Sequence, residues 1–185
     1  MISITTGRSR KCKAGVSGVD YIYLFRFVKY ARSLIVRDQL TLTDFPETTI
    51  YRFEGNYSFN ESQSTQDGGK FYTQNLTADF IGIELNTNLV KLVNEDYRVI
   101  IKDNNGVFRL LGAYNGVITE LNSTTGSSQA EFSGYNLTFE GQEIEQALYI
   151  DDLEDAGFVI SEDNFLLLED GTPILTEDNQ KIIIE

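Results

Sequence analysis

The stretch from Val99 to Glu143 constrains the fold of this chain more than any other part of it. An apolar run leads through Asn105-Gly106 into a second apolar run, and apolar and polar residues then alternate strictly from Tyr135 to Glu140. Asn-Gly supplies the positive φ values that a two-residue hairpin turn needs, and such alternation is typical of a half-buried strand. The segment therefore predicts antiparallel β-structure.

Similar patterns extend this prediction to most of the chain. Alternation is clearest from Ile50 to Asn60, where Gly55 falls on the apolar face and predicts a bulge or a close backbone approach. The expected partner of this strand is Phe71–Ile83, and the leucine spacing predicts one short helix near residues 86–96. Eight or more short strands separated by turn signals predict a mainly β fold, an antiparallel β-sandwich or barrel with one short α-helix.

Charge divides the chain into three parts. Residues 1–37 contain eight Lys and Arg residues and one acid, whereas residues 140–185 contain fourteen acids and one Lys. We therefore predict a basic N-terminal arm over residues 1–18, a β-sandwich domain over 19–150 and an acidic β-meander extension over 151–185. The two ends are either simply solvated or complementary, the basic end of one subunit meeting the acidic end of the next, since such fields guide encounter and register. The net charge of −13 disfavours a protein that grips nucleic acid.

Three segments are candidate interfaces. The arm carries a basic patch, and the polar segment Glu61–Lys70 is predicted to be a long loop that is either ordinary or ordered by a neighbouring subunit. The C-terminal extension has too few apolar residues for a core of its own, so we expect its strands to pair with another sheet edge. The candidate residues are Arg8, Arg10, Lys11 and Lys13 in the arm, Glu61, Gln63, Gln66, Asp67 and Lys70 in the loop, and Phe158, Ile160, Phe165, Leu167, Ile174, Ile182 and Ile184 in the extension.

Composition argues against several kinds of chemistry. The chain has no His and a single Cys, Cys12, so it lacks the commonest general base, the commonest zinc ligand and any internal disulfide. There is no P-loop or nucleophile-elbow motif, no 18-residue apolar run and no signal-like start. These observations predict a binding or structural protein that uses no cofactor or metal, is not an enzyme and does not contact a membrane.

Residues 1–150 also carry a resemblance. The motif D-N-N-G-x-F-x-L-x-G-x-x-N-G from Asp103, followed after a Ser/Thr/Gly segment by S-G-Y-x-L-T-F-x-G-Q-E from Ser133, resembles small virion proteins of tailed bacteriophages, in particular those of crAss-like phages and other phages of Bacteroidetes. The opening I-T-T-G-R-S-R-K-C-K resembles the same proteins. The resemblance implies a tail-tube-like or neck-ring subunit that is made in the host cytoplasm and resides in the virion. Its implied partners are copies of itself in a closed ring, adjacent tail, neck or portal proteins, and DNA that passes through without specific binding.

Two other classes of function remain open from the residues alone. Tyr21, Tyr23, Tyr51 and Tyr57 could line a pocket of a β-barrel or lectin-like module for a glycan or small ligand, or they could be core and interface aromatics. A carboxylate-pair hydrolase using Glu54 and Asp79 on neighbouring strands is the third possibility.

Overall fold

The computed structural model describes residues 18–66, 69–81, 92–125 and 132–161, and within them the chain is mainly β, as predicted. Apart from strands, the described residues contain two short 3₁₀ turns, Arg32–Leu34 and Leu92–Asn94. The twelve strands are β1 Val19–Arg26, β2 Val36–Asp38, β3 Thr41–Asp44, β4 Thr48–Phe53, β5 Asn56–Gln66, β6 Gly69–Ile81, β7 Tyr97–Asp103, β8 Phe108–Leu111, β9 Ile118–Thr124, β10 Gly134–Glu143, β11 Leu148–Ile150 and β12 Phe158–Ile160.

Ten of the strands follow one another in the order β2-β3-β11-β8-β7-β1-β5-β6-β10-β9, while β4 pairs with β1 and β12 pairs with β4. Two pairs, β11 with β3 and β12 with β4, are parallel, and the others are antiparallel. An isolated bridge between Tyr97 and Val117 brings the start of β7 next to the residue before β9. The sheet is therefore mixed, and it is not closed into a barrel.

Two apolar cores lie on opposite faces of β1 and β7. Side chains alternate along these strands, so Ile22 and Leu24 enter one core while Tyr23 and Phe25 enter the other. The first core also holds apolar residues of β6 and β10, and the second holds those of β3, β4, β11 and β12. Because both faces of β1 are covered, its middle reads as a continuous apolar run, which is typical of a fully buried strand.

The predicted strand from Ile50 to Asn60 is divided in two at Glu54-Gly55. A Cβ atom on Gly55 would lie 2.9 Å from the carbonyl oxygen of Asp79, so the close backbone approach expected at this glycine is confirmed. The break lets β4 pair with one part of β1 while β5 turns away and pairs with β6 along its whole length.

The turn after β7 differs from the prediction. The amide of Asp103 donates to the carbonyl of Val107, which leaves three residues in the loop rather than two. A carboxylate oxygen of Asp103 accepts the amides of Asn105 and Val107, and only Gly106 among the loop residues has a positive φ, of 81°. This is the arrangement of a three-residue hairpin loop that ends in a left-handed residue, and the Asp103 side chain stabilises it.

The helix predicted near residues 86–96 lies partly outside the described residues, which resume at Leu92. Its last part is a single 3₁₀ turn, Leu92–Asn94, and residues 95–96 are not helical. No helix in the described part of the chain is long and apolar enough to cross a membrane.

The domain extends further than the predicted boundary at residue 150. Leu153, Ala156 and Phe158 are all buried in the core on the β4 side, and β12 pairs with β4 in parallel. Phe158 is only 1% exposed and stacks on Phe45, with 5.1 Å between the ring centroids. Its prediction as an interface residue is therefore wrong, because the strand it belongs to finds a partner within its own chain.

Candidate subunit interface

The polar segment Glu61–Lys70 is not a long loop. Residues up to Gln66 belong to β5 and residues from Gly69 belong to β6, and the two strands pair without interruption out to Gln66 and Gly69. Since β10 pairs with β6 only from Tyr72 onwards, the end of this hairpin projects beyond the neighbouring strand. The predicted loop is thus a projecting β-hairpin.

Glu61 anchors the hairpin to its own domain. One carboxylate oxygen of Glu61 accepts hydrogen bonds from Nε2 of Gln74, at 3.1 Å, and from the backbone amide of Ala147, at 2.7 Å. Gln74 is itself buried, and its side-chain oxygen accepts the amide of Gly112 at 2.9 Å. These contacts give Glu61 a role inside the subunit, and its interface role stays a prediction.

We expect Glu61→Ala to lower the free energy of unfolding by about 1–3 kcal/mol, because the amide of Ala147 and the side chain of Gln74 lose a charged acceptor. Urea denaturation followed by tyrosine fluorescence measures the loss. The matched control is Ser64→Ala, an exposed position on the same strand, for which the change should stay within about 0.5 kcal/mol. Equal stabilities of the two variants would contradict this role for Glu61.

The other predicted loop residues are divided between exposed positions and undescribed ones. Gln63 and Lys70 are exposed on the hairpin, and the hydroxyl of Tyr72 donates to the side-chain oxygen of Gln63 at 3.4 Å. Gln66 is the last residue of β5. Asp67 lies outside the described residues, so its prediction is untested.

One side of β5 has an open backbone edge. β1 reaches β5 only at the pair Val19 and Tyr57, and among the described residues no strand pairs with that side of β5 from Ser58 to Gln66. Along these nine residues, the amide and carbonyl of every second residue therefore face away from the sheet, without the lysine or proline that commonly protects such an edge. An edge of this kind can accept a strand from another chain.

The terminal candidates lie mainly outside the described residues. This applies to Arg8, Arg10, Lys11 and Lys13 of the arm and to Phe165, Leu167, Ile174, Ile182 and Ile184 of the extension. Ile160, the last residue of β12, is exposed and remains a candidate. Their interface roles stay predictions.

The four tyrosines proposed to line a pocket do not meet in one site. Tyr23 is buried in the second core, and Tyr57 packs against the first core and donates its hydroxyl to the carbonyl of Phe53 at 2.7 Å. Burial raises the pKa of both phenols. Tyr51 is exposed, and Tyr21 packs against the guanidinium of Arg52. Tyr21 lines one open cleft and Tyr57 lines another, so the four rings do not form a single ligand pocket.

The two carboxylates Glu54 and Asp79 line the same open cleft of about 520 Å³, together with Asp20 and Arg52. Each has a partner of its own: Glu54 forms an ion pair with Arg52 at 2.7 Å, and Asp79 accepts a hydrogen bond from Nδ2 of Asn136 at 2.5 Å. Neither partner is the other carboxylate, so the two side chains do not form a carboxylate pair.

Sequence reasoning missed two buried residues of opposite charge, which interact through their charges without a direct ion pair. Arg98, at the start of β7, is 1% exposed and donates to the carbonyls of Ala113 and Val28 at 3.1 and 2.9 Å. Glu143, at the end of β10, is 2% exposed, and one oxygen accepts the amides of Tyr114 and Asn115. Burial lowers the pKa of Arg98 to about 10 and raises the pKa of Glu143, and each charge opposes the other's shift. The sequence signal for this burial was the position of Arg98, a charged residue directly before the apolar run Val99–Ile101.

Within the described ranges, no three Cys, Asp or Glu residues lie close enough together to hold a metal ion. Comparison of the chain with protein-family models, with curated proteins and with solved structures finds no match.

Proposed function

We propose that this chain is a structural virion protein that forms oligomeric rings in the tail or neck of a tailed bacteriophage. The observation that carries the proposal is the projecting β5–β6 hairpin with its open edge from Ser58 to Gln66. An unprotected edge of nine residues exposes a monomer to aggregation. In an assembly, strand pairing with a neighbour gives the unpaired backbone amides and carbonyls of this edge their hydrogen-bond partners. The resemblance of residues 1–150 to small phage virion proteins points in the same direction.

In such a ring, each subunit contributes one surface to the neighbour on either side. A heterologous contact of this kind, repeated by rotation, closes into a ring. The net charge of −13 suits a passage for DNA, since acids that face a lumen repel phosphate and let the genome slide without binding. The ring would act as part of the DNA passage and of the joint between head and tail.

The glycan-binding alternative receives no support from the site. Its four tyrosines are separated between two cores and the surface. The hydrolase alternative is weakened in the same way, because Glu54 and Asp79 each have a partner other than the second carboxylate.

Electron microscopy of the purified chain over a range of concentrations tests the ring proposal. We expect discrete rings of uniform diameter, and we expect Ser64→Lys on the open strand to reduce their number, because a lysine on an edge strand disfavours pairing. Thr43→Lys, an exposed position on β3, adds the same charge away from the hairpin and should leave the rings intact. A chain that stays monomeric at every concentration, alone and in the native particle, would refute the proposal.

A further inference from the structure

A second surface feature lies near Arg26, at the other end of β1 from Val19. Two adjoining clefts, of about 310 and 610 Å³, share Asp96 and Ile118 as lining residues. We call the two together the Ile118 groove. It runs beside β9 and β10 and past the turn Leu92–Asn94.

The groove exposes apolar side chains where a strand normally presents polar ones. Side chains alternate along β9, so Thr119 points inward while its neighbour Ile118 points outward and is 66% exposed. Val93, in the 3₁₀ turn, lines the same groove and is 44% exposed. Together, Ile118 and Val93 give the groove an exposed apolar surface beside its charged residues.

The groove is also acidic. Glu95, Asp96, Glu120 and Glu140 line it, and its only described basic residue, Arg26, forms an ion pair with Glu95 at 2.8 Å. No Lys or Arg among the described residues forms an ion pair with the other three carboxylates. The groove therefore carries a net negative charge that the described residues do not neutralise.

A buried hydroxyl supplies an independent indication of an unfilled contact. Thr119 lines the smaller cleft and is 4% exposed, and its Oγ1 has no hydrogen-bond partner among the described residues. Buried polar atoms in folded proteins are nearly always paired, so this hydroxyl is a candidate for a hydrogen bond with a group that enters the cleft.

We infer that the Ile118 groove receives the basic N-terminal arm of a second copy of this chain. Residues 1–17 contain Arg8, Arg10, Lys11 and Lys13 and no acid, with Ile2 and Ile4 as apolar anchors. Their charge and apolar content match those of the groove. This inference rests on the proposed assembly of copies and names the surfaces that meet.

The placement of the two surfaces favours a second copy over the same one. The arm joins β1 at Gly18, whose carbonyl accepts the amide of Asn104, whereas the groove begins at Arg26, at the other end of β1. Gly18 and Arg26 lie about 27 Å apart along β1 at about 3.4 Å per residue. Lys13, five residues before Gly18, can reach at most about 18 Å from it, so the whole basic patch cannot enter the groove of its own copy. A donor and an acceptor at opposite ends of a subunit form a head-to-tail contact, which is the kind that generates rings.

The single native cysteine allows a direct test in the full chain. Cys12 lies within the basic patch, and Gln142→Cys places a second thiol in the groove. With a short bismaleimide we expect adducts at two and three times the monomer mass. Two controls should give only background adducts: Glu47→Cys, an exposed position outside the groove, and Gln142→Cys with Cys12→Ser.

Charge reversal provides the second measurement. Glu120→Lys with Glu140→Lys should lower the crosslinked fraction about tenfold, because like charges then oppose the arm. Adding Arg8→Glu and Arg10→Glu should restore much of it. The same reversal at Asp44 and Glu47, both exposed and remote from the groove, should have little effect.

The outcomes separate this inference from the ring proposal. Adducts that remain at monomer mass, or that do not exceed the Glu47→Cys background, would overturn the inference, and rings seen under the same conditions would leave the assembly proposal standing. Intermolecular adducts without closed rings would support the arm-to-groove contact and count against the ring.

Discussion

Arg98→Ala should lower the free energy of unfolding by about 3–5 kcal/mol, because it removes a buried cation that offsets a buried anion. Of the two cations that favour the ionised form of Glu143, Arg98 and Arg32, the substitution removes the one with the larger effect. It also removes the donors to the carbonyls of Val28 and Ala113 and the guanidinium that lies 4.4 Å from the ring centroid of Phe27. Urea denaturation at pH 7 measures the change.

The matched control is Arg26→Ala. Arg26 forms an ion pair with Glu95, but its side chain is 69% exposed, so we expect a loss below about 1 kcal/mol. Similar losses for the two arginine variants would contradict the role assigned to Arg98.

A double variant isolates the electrostatic part. Glu143→Gln keeps an oxygen that accepts the amides of Tyr114 and Asn115 but removes the charge. Arg98→Met with Glu143→Gln should therefore be more stable than Arg98→Met alone. Because the pKa of Glu143 is raised in the folded state, its protonation favours folding. The defect of Arg98→Met should thus shrink as the pH falls and grow as the pH rises through that pKa.

Phe158→Ala is expected to have the other large effect, a loss of about 3–5 kcal/mol, as is usual for the deletion of a buried aromatic ring. The ring stacks on Phe45 and lies 5.6 Å from the ring of Phe25, so its removal opens a cavity in the second core. Thermal and urea denaturation of the purified variant measure the loss.

Val159→Ala is the control on the same strand, because Val159 is 47% exposed, and its loss should remain below about 1 kcal/mol. If Phe158 belonged to a separate appendage that packs on another subunit, its substitution would change assembly and leave the stability of the monomer unaltered. That result would overturn the boundary described here.

The elements that could be predicted from sequence are those whose side chains alternate against a core. β10 and the pairing of β5 with β6 follow from such alternation, and both are confirmed. The hairpin end from Glu61 to Gln66 was mistaken for a loop because its residues are almost all polar. Backbone pairing with β6 and the hydrogen bonds of Glu61 stabilise the strand there. Neither interaction requires alternating apolar residues, so the sequence shows no strand pattern.

Two other errors have a common physical cause, which is pairing between distant parts of the chain. β12 is held by β4, more than a hundred residues earlier in the sequence, and a three-residue strand gives no sign of its partner. Likewise the burial of Arg98 depends on Val28 and Ala113, which belong to separate loops.

The hairpin loop after β7 was misjudged by one residue because the Asp103 carboxylate, rather than Asn105-Gly106 alone, determines its geometry.

For the candidate interface, the sequence indicated the region involved but not the open backbone edge that would form the contact. Polarity singled out residues 61–70, yet the open edge there is a property of the backbone and depends on where β1 stops. The Ile118 groove could not be predicted from the sequence. Its acidic residues come from β9, β10 and the segment after the 3₁₀ turn Leu92–Asn94, and only the fold brings them together.

The double burial of β1 has a consequence for how the subunit melts. Side chains of β1 belong to both apolar cores, so loss of this strand from the sheet would expose both cores to water at the same time. Neither half can persist as an independent folding unit, and heat or denaturant should convert the subunit in a single cooperative step rather than through a half-folded species.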